Sequence, residues 1–209
     1  MQLKEISGTY DAIFSLGSNC LPAYQLQKNK LRRFTGVIDW VISDSLADVN
    51  QLLKHRFNGF LELQNLKVVG YSEKNTYFVK DVSCNILTVY DFLLNENTRE
   101  HLSAYPQVKE KYNRRIRRFL DTLANSQSLL FIRSVGNFQD VHELQSILSE
   151  IVMCDFKILV VNHANVSGIV EKDWGLKNVC VIELPDKEIW DGNNSLWREV
   201  LKEVALRNH

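Results

Sequence analysis

The residue best placed for covalent chemistry is Cys20, in the stretch Tyr10 to Pro22 (YDAIFSLGSNCLP), where an apolar run breaks into small residues ahead of a helix-compatible segment. Ala12 to Leu16 reads as a buried strand stopped by Gly17-Ser18-Asn19, because a short apolar run ended by turn formers fits a strand leaving its sheet. Ser18 and Asn19 are good helix caps, Pro22 suits a first turn, and Ala23, Leu26 and Lys30 continue the helix. The thiol is thus expected beside unpaired backbone N–H groups. Such groups favour a thiolate. They would also hold the oxyanion formed when sulfur attacks a carbonyl, which makes Gly17, Ser18 and Asn19 binding candidates. The alternative is that Cys20 is one more small buried side chain, the common fate of a free cysteine.

A nucleophilic thiol needs a base within hydrogen-bond reach. Of the five histidines, only His163 directly follows a predicted apolar strand, Phe156 to Asn162. In a parallel sheet it would share an edge with Cys20, and Asn162 beside it joins the binding candidates. The alternative for His163 is a loop histidine bonded to backbone. His55, His101 and His142 fall on helical segments, and His209 is terminal. Asp39 interrupts an apolar run, FTGVIDWVI, and a carboxylate there needs a partner or a strand end. It is the third catalytic candidate, with Trp40 next to it; a turn-bonding aspartate is the alternative. Tyr90 and Asp91 complete the set from a later β-rich segment. A different chemistry comes from the same loop, since SLGSN, the later Gly136-Asn137 and a late Asp/His resemble parts of SGNH-type esterases. Yet Gly-Asp-Ser and a C-terminal Asp-x-x-His are missing, as are a Walker lysine and a complete GxGxxG.

The elements that must position these residues alternate. After the first helix, Phe34 to Ile42 reads as a strand and Ser43 to Phe57 as a helix opened by a Ser45/Asp48 capping box. Residues 59–92 read as a small β-rich insertion of hairpins. Thr98 to Ala124 reads as a long helix broken or restarted at Pro106, with Arg114, Arg115, Arg117 and Arg118 crowding the same turns, as a solvated face in preference to a phosphate or nucleic-acid contact. Strands at Ser128 to Arg133, Phe156 to Asn162 and Asn178 to Leu184 are separated by a helix over Asp140 to Val152 and followed by a closing helix over Ser195 to Leu206. Uninterrupted apolar strands between helices predict an α/β fold in three layers, with a mainly parallel sheet covered on both faces. The site belongs in the loops after the strands.

With 209 residues, 45% of them hydrophobic, the chain suits one α/β domain over 1–209. Lys plus Arg equals Asp plus Glu at 25 each, so no global charge draws it to nucleic acid or an anionic membrane. The charged N-terminus lacks a signal-peptide core and no run approaches a membrane span, which predicts a cytoplasmic protein. The four cysteines form no CxxC pair, so neither a zinc ribbon nor a disulfide framework is expected, and no cofactor is implied. The expected partner is a small-molecule or peptide substrate.

SLGSNC, then Leu31-Arg32-Arg33-Phe34 and Ile38-Asp39-Trp40, resembles the opening signature of a bacterial family of unknown function labelled papain-like cysteine peptidases, frequent in spore-forming Gram-positive bacteria. YPQVKEKYNRRIRRF, LFIR and VVNHANVSG also match it. The resemblance implies a Cys-dependent hydrolase with Cys20 as nucleophile and Asp39-Trp40 near the site. It also places a His-Asp-Phe segment where this chain has Tyr90-Asp91-Phe92, which leaves His163 as the substitute base.

Overall fold

A computed structural model describes residues 1–207, so His209 lies outside the described residues. The chain opens with β1 (Gly8–Tyr10) and β2 (Ala12–Ser15), followed by α1 (Leu21–Lys28), β3 (Val41–Ile42) and α2 (Leu46–Lys54). Next come β4 (Leu66–Ser72), β5 (Thr76–Asp81), β6 (Ile86–Leu93) and the long α3 (Tyr105–Asn125). The last part holds β7 (Ser128–Ser134), α4 (Phe138–Ile151), β8 (Asp155–Ala164), β9 (Val170–Lys172), β10 (Val179–Pro185), α5 (Asn194–Val200) and β11 (Val204–Leu206).

The central sheet has the order β2-β7-β8-β10-β9 and is parallel except for β9 at one edge. Its inner strands are mostly apolar because successive side chains enter two separate cores. Phe14, Phe131, Val160 and Val181 face one core, shared with α2, α3 and α4. Ile13, Ile132, Leu159 and Ile182 face the other, shared with α1 and α5. That is the expected three-layer α/β arrangement, and it follows from period-two side-chain alternation with both faces covered. The β-rich insertion is an antiparallel sheet, β3-β6-β5-β4, packed into the first of these cores through Val79, Ile86 and Phe92.

Three expectations change. Only Val41–Ile42 of the Phe34 to Ile42 run is a strand. The rest is irregular because Asp39 Oδ2 accepts the Gly36 N–H at 2.8 Å, a local turn that competes with strand pairing, while Val37 and Ile38 are buried all the same. The long helix starts only at Tyr105, with residues 98–104 outside it, and Pro106 in its first turn, where a missing N–H costs nothing, is the restart and not a break. The closing helix stops at Val200, and Val204–Leu206 instead pairs in parallel with Gly8–Tyr10. Tertiary pairing overrides helical periodicity there. None of the described helices is long and apolar enough to cross a membrane.

Candidate functional site

Cys20 caps α1 with φ −73° and ψ −8°, and its carbonyl accepts the Tyr24 N–H at 2.9 Å. Asn19, and not Ser18, supplies the side-chain cap, its Oδ1 accepting the Leu21 N–H at 2.8 Å. Cys20 is 7% exposed. Two polar side chains wall its sulfur. The Tyr90 phenol lies close enough to stabilise its thiolate, and the Asp39 carboxylate lies within electrostatic reach. Burial pushes the thiol pKa up and the Asp39 charge adds to this, while the Tyr90 phenol and the residue's own N–H pull it down. The balance is upward. The expected thiolate is therefore not the resting form, because desolvation outweighs the helix end.

Asp39 is 2% exposed. Its Oδ2 accepts from the Gly36 N–H and, at 3.2 Å, from Arg32 Nη1, and the Arg115 charge acts from α3. Burial nevertheless raises its pKa. Gly36 is required here, since a Cβ on it would sit 2.7 Å from Asp39 Oδ1. Trp40 acts one step back, its ring lying 5.0 Å from the Arg32 guanidinium carbon and so helping to orient the cation that faces Asp39.

Tyr90 reaches the thiol because β6 is bulged. Val79 pairs with Thr88 and Tyr77 with Phe92, so Val89, Tyr90 and Asp91 together oppose the single residue Phe78. Such a bulge re-aims side chains. Tyr90 turns to Cys20, while Asp91 turns to α3, where it pairs with Lys111 and accepts from Tyr112 Oη at 2.8 Å. Tyr90 also lines a cleft of about 510 Å³ whose walls include Ile42, Tyr71, Phe78 and Val89.

Gly17 and Ser18 are struts. The Ser18 N–H donates to Ser134 O, and its carbonyl accepts the Ser43 N–H at 2.6 Å. The Gly17 N–H donates to Ser15 Oγ at 3.3 Å, and its carbonyl accepts the Ser134 N–H at 2.7 Å. Gly17 has φ +84°, and a Cβ on it would overlap Ser43 Oγ and sit 2.8 Å from Arg133 Nη1. The oxyanion donors expected from Gly17 and Ser18 are thus already engaged, and the Cys20 N–H acts on the thiol. Ser18 Oγ is buried against Ser134 Oγ at 3.5 Å, so it presents no exposed hydroxyl for serine-esterase chemistry.

Sequence reasoning passed over the residue that fixes this loop. Arg133 is 0% exposed and makes five hydrogen bonds, to Leu16 O (2.7 Å), Ser43 O (2.7 Å), Ser43 Oγ (3.0 Å), Val135 O (3.1 Å) and Asp44 O (3.3 Å). Desolvation lowers its pKa to about 10, with Asp44 and Asp140 opposing from further off. A charge inside SLLFIRS was the available signal, because a buried cation demands partners.

His163 stands apart. Ser18 bonds to Ser134, Ser134 pairs with Val161, and His163 lies two residues further along β8. With β7 between, its backbone is about two strand spacings, roughly 10 Å, from the Cys20 loop. Its pKa is lowered by burial, Asp186 opposes this, and its Nε2 is buried without a hydrogen-bond partner. Asn162 clamps the loop after β7, accepting the Gly136 N–H at 2.9 Å and donating to Gly136 O at 3.0 Å. Cys20, Asp39 and Tyr90 thus come together, and His163, Asn162 and Asp91 do not join them. Among the described residues no group of three or more His, Cys, Asp or Glu is arranged to hold a metal ion.

A family model described as "Putative papain-like cysteine peptidase (DUF1796)" matches residues 11–166. The chain belongs to this family. The DUF1796 match runs from the residue before β2 to just beyond β8 and so spans Cys20, Asp39, Tyr90 and His163. A curated relative, an uncharacterised protein (R408) of Acanthamoeba polyphaga mimivirus, is 28% identical over 229 residues, covering 91% of this chain and 97% of its own length. That relative is viral, so the expectation of a bacterial origin gains no support from it. No solved structure matches the chain.

Proposed function

We propose that the protein is a thiol-dependent hydrolase of an amide or ester in a peptide or small molecule, with Cys20 as nucleophile and Asp39 as its base. The observation that carries this reading is the juxtaposition of a helix-capping thiol, a buried carboxylate of raised pKa and a phenol in one polar nook. Burial raises the Asp39 pKa, which makes its carboxylate a better acceptor for the Cys20 proton than an ordinary aspartate. Sulfur then attacks the carbonyl carbon, the oxyanion faces the Cys20 N–H, and the returning proton leaves with the departing amine or alcohol. Water hydrolyses the thioester and restores the thiol. Tyr90 stabilises the sulfur anion and lines the neighbouring cleft, where the acyl group would lie. His163 has no step in this scheme.

The raised thiol pKa and slight exposure also favour a second reading, in which the same nook binds a small molecule without turnover. Mass spectrometry after incubation with p-nitrophenyl acetate separates the two. The hydrolase reading expects an acetyl adduct on Cys20 that then decays, lost in Cys20→Ala and formed at least about tenfold more slowly in Asp39→Asn. No adduct on Cys20, or full-rate acylation in Asp39→Asn together with loss in His163→Ala, would overturn the assignment of roles.

A further inference from the structure

A cleft of about 750 Å³ lies at the opposite end of the parallel sheet from Cys20. Ala12, at the start of β2, and Gln127, just before β7, form its floor, and the second half of α3 forms a wall. Five arginines line it, Arg33, Arg114, Arg117, Arg118 and Arg207, against two aspartates. One of those aspartates, Asp11, is already engaged. Its Oδ1 pairs with Arg207 Nε at 2.7 Å, and its Oδ2 accepts the Gln127 and Ser128 N–H groups at 2.6 and 3.0 Å.

Two of the arginines are held in place with donors to spare. Arg118 donates one Nη2 hydrogen bond to Thr35 O at 2.7 Å and packs its guanidinium 4.2 Å from the Phe34 ring centre. Arg207 is held through its Nε and through its main-chain N–H, which donates to Tyr10 O at 2.9 Å. Arg114 and Arg117 share one carboxylate, Glu110, at 3.5 and 3.3 Å, and their side chains stay 61% and 68% exposed. Each guanidinium carries five donors in a planar fork that matches phosphate oxygens. The surplus charge is local, since the whole chain carries no net charge, and it is concave, which concentrates the field at one spot. A cleft of this volume admits a ligand of nucleotide size.

We propose that this cleft binds a compact phosphate-bearing anion, independently of the Cys20 chemistry. The direct test is isothermal titration calorimetry on the intact chain with sodium tripolyphosphate and, separately, ATP, at low salt. The cleft reading expects binding of at least one, weakened about tenfold or more by Arg33→Ala with Arg117→Ala, and less than about twofold by the equal charge loss of Lys54→Ala with Lys67→Ala. Cys20→Ala should bind as the parent does, so failure of the hydrolase reading leaves this one standing. Equal affinities would assign the cleft to a free polyphosphate, and a tighter ATP complex to a nucleotide. Heat from neither anion, equal loss in both double variants, or binding only of a single-stranded oligonucleotide would overturn the proposal.

Discussion

The two ends of the parallel sheet use arginine in opposite ways. At the end carrying Cys20, Arg133 is fully buried and spends its guanidinium on five hydrogen bonds, four of them to main-chain carbonyls. At the other end, Arg114 and Arg117 are largely exposed and share a single carboxylate. The difference lies in what surrounds the side chain. A buried cation must be saturated by fixed acceptors, and once saturated it can only hold loops together. A solvated cation costs little to leave unsatisfied and so keeps capacity for a ligand.

The sharpest way to break this contrast is to remove the buried member. Arg133→Met should destabilise the protein by about 3–5 kcal/mol, measured by urea unfolding, because carbonyls of the Cys20 and β3 loops lose their donors. Arg133→Lys should not rescue it, since one ammonium cannot replace the fork. A loss below about 1 kcal/mol would mean that the loops hold themselves. Next in size, Gly17→Ala should cost about 2–3 kcal/mol, from the left-handed backbone and the overlap with Ser43 and Arg133.

Two smaller effects sharpen the picture. His163 has a folded-state pKa below its ordinary value of 6.5. The unfolded chain therefore binds its proton first, and stability present above pH 6.5 should fall as the medium is acidified below it. Thermal melts at pH 7 and pH 5 check this, with a shallower pH dependence expected for His163→Asn. Smallest of all, Arg114→Ala should change unfolding free energy by less than about 0.5 kcal/mol, because the exposed pair with Glu110 contributes little. A larger loss would show the open end to be structural after all.

The parallel sheet was legible in the sequence because burial on both faces writes uninterrupted apolar runs such as SLLFIR and FKILVV. Cys20 was placed correctly because Gly17-Ser18-Asn19 ends one run and Pro22 opens a helix. What escaped depends on pairing between distant segments. Phe34 to Ile38 is apolar because it is buried, not because it is a strand, and only the Gly36 to Asp39 hydrogen bond distinguishes the two. The orientation of Tyr90 is set by the β5/β6 register, which no local pattern records. The separation of His163 from Cys20 follows from β7 lying between their strands, an order that spacing along the chain does not encode. Arg133 was visible as a residue, but its partners come from three loops.

The strand order also has a consequence for biosynthesis. β8 stands between β7 and β10, and β10 is made late, over Val179–Pro185. Until that stretch has left the ribosome, one side of β8 from Ile158 to Ala164, seven residues, offers unpaired amides and carbonyls. Such a margin invites pairing with neighbouring chains. The β8 margin is therefore unprotected in the interval between the emergence of Ala164 and that of Pro185, when shielding by chaperones would be of most use.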